Sequence, residues 1–117
     1  MNRTEVSTLL TKCKYALRCK LEIADRTKNF NFITGLGLIR QDIFDIIDSL
    51  EVDDFLNGPI TDETFKGELF EFGKNFYGRE IYIKLKICDF DYSGEKQLTL
   101  NCVSFHSPER PLKYKFK

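Results

Sequence analysis

Residues 78–90 read GREIYIKLKICDF. Ile81, Ile83, Leu85 and Ile87 alternate with Tyr82, Lys84, Lys86 and Cys88. A β-strand sends successive side chains to opposite faces. The run therefore predicts a half-buried strand with an apolar back and a cationic front, and the rest of the chain can be placed around it.

Just upstream, residues 67–75 alternate as well, with Leu69 and Glu71 on one side and Phe70 and Phe72 on the other. Lys74 to Gly78 is a tight link, and Gly78 supplies the permissive backbone a hairpin needs. Downstream, Asp91-Tyr92-Ser93-Gly94 predicts a second turn, and Lys96 to His106 a third long strand. The apolar face of that strand begins as Leu98, Leu100 and Cys102, then changes to Val103 and Phe105. A change of face inside one strand predicts a bulge or bend near Asn101 to Val103. Beyond Pro108 and Pro111, Leu112 to Phe116 alternates with lysines and predicts a short, charge-guarded edge strand.

The first half of the chain is helical in pattern. Val6, Leu9, Leu10, Cys13, Ala16 and Leu17 form one apolar stripe, predicting a helix from Thr4, its N-cap, to about Lys20. Leu21–Ala24 reads as a short strand, and Asn29–Leu36 as a short helix with Phe30 and Ile33 inward, capped by Asp25 or Thr27. Ile43, Ile46, Ile47 and Leu50, widened by Phe44, predict a helix over Arg40–Leu50. Asn57-Gly58-Pro59 reads as a break and Ile60–Lys66 as an exposed loop. The expected fold is one α+β domain spanning 1–117. It has two layers, with N-terminal helices packed on one face of a three- to four-stranded twisted antiparallel sheet.

The chain has 117 residues, enough for one hydrophobic core. Its formal net charge is zero, which argues against holding nucleic acid by bulk charge. The charge is nevertheless unevenly spread: +4 over residues 1–39, −7 over 40–77 and +3 over 78–117. Cys13, Cys19, Cys88 and Cys102 form no CxxC pair and His106 is the single histidine, so neither a zinc site nor any other metal or cofactor site is expected. All four cysteines fit core positions. With no leader-like apolar run and no membrane span, a cytoplasmic protein with reduced thiols is expected.

No Walker loop, GxGxxG, GxSxG or HExxH motif occurs. The informative cluster is Tyr82, Lys84 and Lys86 on the front of one strand, His106 at the end of the next, and Arg110, Lys113, Tyr114 and Lys115 soon after. Cations neutralise phosphates, tyrosine stacks or donates a hydrogen bond, and histidine exchanges protons near neutral pH. These are ingredients for metal-free RNA cleavage. Lysines on the open face of an antiparallel sheet also serve simply to solvate it, and that alternative stays open at this level.

The run Gly37-Leu38 with DIFDIIDSLEVDDF, then NGPITDE, GELFEFGKNFYGREIYIKLKI and CVSFHSPERPLKYKFK resembles toxins of bacterial type II toxin–antitoxin systems. These belong to the RelE/ParE superfamily, and the MqsR-like and ParE-like branches look most similar. The resemblance covers about two-thirds of the chain. It implies helices on a twisted antiparallel sheet, no metal, a cognate antitoxin as partner and, in many members, endoribonuclease action on mRNA, often on the ribosome. By position, Tyr82 and Lys84 match the central-strand YxK and His106 the end of the last core strand. His106, Lys84 and Tyr82 are then the expected catalytic residues, and Lys86, Arg110, Lys113, Tyr114 and Lys115 the expected RNA-binding ones. The sequence departs from the MqsR-like pattern at Leu56–Pro59, where a basic residue often follows the DF turn. ParE-type members instead bind DNA gyrase, so a non-enzymatic toxin with a protein target, or a non-catalytic binding module, stands as the alternative.

Overall fold

The computed structural model describes residues 1–117. Its first helix, α1 (Arg3–Cys19), starts one residue before the expected cap. Asn2, not Thr4, is the N-cap: its side chain accepts from the Glu5 N–H at 2.8 Å, and the Glu5 carboxylate accepts from the Asn2 N–H at 2.9 Å. This reciprocal box satisfies two otherwise orphaned donors. The predicted apolar stripe is buried in full, from Val6 to Leu17.

The chain then runs through β1 (Leu21–Ile23), α2 (Thr27–Gly35), α3 (Arg40–Asp48), a 3₁₀ turn (Val52–Asp54), β2 (Phe55–Thr61), β3 (Glu68–Phe76), β4 (Arg79–Phe90) and β5 (Lys96–His106). The sheet order is β1-β5-β4-β3-β2. The β3–β4 hairpin closes through Tyr77 and Gly78, with φ of 51° and 81°. Both are left-handed, as a two-residue turn that follows the sheet twist requires.

The α+β class holds, but the sheet is larger than expected and mixed. Five strands replace three or four, and β1 runs parallel to β5, pairing Leu21 with Leu100 and Ile23 with Cys102. Residues 57–61, read as a break and the start of a loop, belong to the edge strand β2. Asn57-Gly58-Pro59 appears there as register shifts against β3 rather than as an end. An edge strand tolerates proline because the missing N–H can face away from the ladder. Leu112–Phe116 is not a strand; it is an irregular strap, described below.

The back of the sheet carries Phe72, Ile81, Ile83, Leu85, Leu100, Cys102 and Phe105, all buried. They pack against Val6, Leu9, Leu10, Cys13, Leu17, Ile43, Ile46 and Ile47 of the helices. Each fully buried side chain of this size contributes about 2 kcal/mol, so this layer is the main stabilising element of the fold. Ile87 is only partly covered. Cys13 and Cys102 are core residues, whereas Cys19 is exposed and Cys88 half-buried, against the expectation of four core positions. Phe30 also differs: it is 64% exposed, and Asn29 takes the inward place on α2.

The reason lies in β5. Lys84 pairs with Ser104, but Leu85 pairs with Cys102, leaving Val103 as an extra residue. This is the bulge that the change of face predicted. Before it, Leu100 and Cys102 point back; after it, Phe105 points back and Ser104 and His106 point to the front. A bulge leaves backbone groups without ladder partners. The Asn29 amide supplies them, donating to the Val103 and Ala24 carbonyls at 3.0 and 3.1 Å and accepting from the Phe105 N–H at 2.9 Å. A buried polar group fully satisfied in this way fits where a phenyl ring would not.

After His106 the chain turns across the front of the sheet as a strap. Leu112 and Tyr114 lie on Gly73, where a Cβ would sit 2.7 Å from Leu112 Cδ1 and 2.6 Å from Tyr114 Oη. Only glycine admits that approach. The strap ends at the far edge, where the Lys115 N–H donates to the Phe55 carbonyl at 3.1 Å. Phe116 stacks on Phe55 with ring centroids 6.1 Å apart.

Candidate functional site

Three of the sequence-derived residues come together on the front of β4 and β5. Tyr82 and His106 are cross-strand partners, with ring centroids 5.4 Å apart. Lys84, one step along β4, holds its Nζ 5.9 Å from the Tyr82 ring centroid. It makes no ion pair. Such a pairing is the natural reach of neighbouring side chains on one face of an antiparallel ladder.

His106 is only 8% exposed. Its Nδ1 lies 2.8 Å from the Ser107 carbonyl oxygen. A carbonyl can only accept, so Nδ1 carries a proton and Nε2 is the nitrogen left to exchange one. Tyr82 donates its hydroxyl to the Glu71 carboxylate on β3. Burial pushes the Tyr82 phenol well above its ordinary range, and the hydrogen bond to Glu71 pushes it further. Tyr82 therefore stays protonated at neutral pH and serves as a hydrogen-bond donor, not a base.

The sequence reading missed two residues of this cluster. Glu71 was on the correct face, but the β3–β4 register that sets it across from Lys84 and within reach of Tyr82 is not written in either strand alone. Arg26 comes from the N-terminus of α2 and reaches over the edge of β5. Its Nη1 donates to Ser104 Oγ at 3.1 Å and to the Val103 carbonyl at 3.4 Å. Nothing in the local pattern around Arg26 signals this. Beside it, Lys28 pairs with Glu109 at the start of the strap.

The remaining expected residues are placed differently. Lys86 is buried, its Nζ 2.7 Å from Asp62 Oδ2, with side-chain exposures of 7% and 15%. Phe65 lies over it, and the Gly67 Cα is so close that a Cβ would meet Lys86 Cε at 2.7 Å. Lys86 and the N–H groups of Phe65 and Thr64 hold the Asp62 carboxyl down at about 2. Tyr114 donates to Glu80 at 2.9 Å and is packed under the strap. Lys115 stands at the far edge near Phe116, three strands from His106. Arg110 and Lys113 are exposed on the strap.

No three His, Cys, Asp or Glu side chains are grouped to hold a metal ion. No helix is long and apolar enough to cross a membrane. Compared with family models, curated proteins and solved structures, the chain finds no match.

Proposed function

We propose that the chain is the toxin of a toxin–antitoxin pair and acts as a metal-independent endoribonuclease on mRNA at the Tyr82–His106–Lys84 cluster. The observation that carries this reading is the cross-strand Tyr82–His106 pair with an uncommitted Lys84 beside it. An acid–base group, an aromatic ring and a cation without an ion pair share one patch of the front of the sheet. Their roles follow from their protonation. The lone pair of His106 Nε2 takes the 2′-OH proton, and the 2′-oxygen forms a bond to the adjacent phosphorus. Lys84 stabilises the charge on the non-bridging oxygens, and Tyr82, its hydroxyl held by Glu71, sets its ring against His106. The P–O5′ bond breaks, the 5′-oxygen takes a proton from water, protonated His106 gives its proton to the hydroxide left behind, and the products are a 2′,3′-cyclic phosphate and a 5′-hydroxyl end. The cognate antitoxin is the expected protein partner.

The test is induced expression in bacteria. It should arrest growth and produce new mRNA 5′ ends in primer extension, while folded His106→Ala and Lys84→Ala proteins should do neither. Full toxicity with unchanged transcripts in both variants would sink the assignment.

A second reading rests on one observation. Tyr77 is 93% exposed at the tip of the β3–β4 hairpin, beside Phe76 at 4.6 Å between ring centroids. A non-enzymatic toxin could use that tip on a protein target such as gyrase. It predicts arrest with intact mRNA and loss of toxicity in Tyr77→Ala.

A further inference from the structure

Arg26 uses only Nη1 to hold Ser104 and the bulge; its Nη2 and Nε have no partner in the protein. Ser104 is the ladder partner of Lys84, and His106 that of Tyr82. The guanidinium is close enough for its charge to act on the Tyr82 phenol. Neither Arg26 nor Lys84 is in an ion pair, whereas Lys28 is paired with Glu109 and Lys86 with Asp62. Glu71, across from Lys84 on β3, accepts from the Tyr82 hydroxyl and makes no ion pair.

From this we propose that Arg26 and Lys84 form a seat for a tetrahedral oxyanion, the phosphate of an RNA backbone. Arg26 offers its planar fork and Lys84 a point charge from the other side of Ser104. The Ser104 hydroxyl, already accepting from Arg26, fixes the fork in place. Arg26 at the N-terminus of α2 and Lys84 on β4 flank Ser104 with no ion pair of their own, and a phosphate offers oxygens to both. The proposal rests on the ribonuclease reading for the identity of the anion, but the seat itself can be tested apart from it.

His106 is the single histidine, so its Hε1 proton resonance reports the cluster without assignment. Inorganic phosphate titrated into the full chain at constant ionic strength should move that resonance saturably. Arg26→Gln keeps an N–H donor for Ser104 but removes the charge. It should weaken phosphate by about tenfold or more, the loss expected for one charge-assisted contact. Arg26→Lys should fall in between, and Lys12→Ala, on the exposed side of α1, should match the parent. A 2′-deoxy oligonucleotide, which binds without being cut, should follow the same ranking if the seat takes a backbone phosphate. A ranking seen with free phosphate alone would limit it to the free anion and overturn the backbone assignment. Arg26→Gln titrating like the parent, or no saturable shift in the parent, would overturn the seat. RNA cleavage measured in parallel separates the two ideas. A parent that binds phosphate through Arg26 but cuts no RNA refutes the ribonuclease reading and leaves the seat. A parent that cuts RNA as fast as Arg26→Gln refutes the seat and leaves the reading.

Discussion

Lys84 and Lys86 sit two residues apart on the same face of β4, yet one is open and the other sealed. Lys86 faces the β2–β3 loop, which folds back to set Asp62 at 2.7 Å and Phe65 above it. Lys84 faces Ser104 on one side and Glu71 on the other, and Glu71 is held by Tyr82. Strand periodicity decides which face a lysine takes. Whether its charge is available is decided by what the neighbouring strands and loops bring to it. The same amino acid is thus a stabilising element at one end of the face and a free cation at the other.

The contrast can be broken by substitution. Under the ribonuclease reading, the largest effect expected is on RNA cleavage. Lys84→Ala or His106→Ala should reduce RNA cleavage by about 100-fold or more, the usual range for losing an acid–base or charge-stabilising group. Lys86→Met should cut RNA nearly as fast as the parent, as single-turnover assays on one substrate would reveal. Next comes stability. Asp62→Ala leaves a buried ammonium unpaired and should destabilise the fold by about 3 kcal/mol in chemical denaturation. Asp62→Ala combined with Lys86→Met should recover most of that loss, because the apolar pair needs no counter-charge. If the double variant is as unstable as the single, the ion pair is not what seals this end.

Asn29→Ala should cost about 2 kcal/mol, since it strips partners from the Val103 carbonyl and the Phe105 N–H. It should also lower cleavage, because the bulge is what turns His106 to the front. The smallest effect is one of pH. The Asp62 carboxyl is held at about 2 against an ordinary 3.8. A depressed carboxyl stabilises the fold above its unfolded value, and that contribution is lost as pH falls from 3.8 toward 2. The acid unfolding of Asp62→Asn should lack the part of the pH slope that lies in this window.

Local pattern was enough for β4, for the β3–β4 hairpin and for the bulge in β5, because each is written in residues a few positions apart. It failed where a distant partner decides the outcome. Leu21–Ile23 is too short to announce a parallel pairing with β5, and Asp62 lies 24 residues from the lysine it neutralises. Asn57-Gly58-Pro59 has the composition of a turn, but β3 supplies enough ladder partners to carry the strand through it. The helical spacing put Phe30 inside because it counts apolar residues, whereas the groove beside β5 presents unpaired backbone and selects Asn29. In the candidate site, the Tyr82, Lys84 and His106 positions followed from periodicity plus one bulge. Arg26 and Glu71 required the tertiary register.

The strap over Gly73 has a steric consequence. With Leu112 and Tyr114 lying on β3 and Asp62 and Phe65 set against Lys86, both flanks of the front are covered, and Ser104 and His106 between them are buried. A substrate would reach His106 through a confined opening, which suits a single flexible strand better than a duplex. An A-form helix, whose accessible side is broad and shallow, would ride on the strap and leave its sugars out of reach of His106. Under the ribonuclease reading, strandedness would be selected by the covered flanks, before any base is recognised.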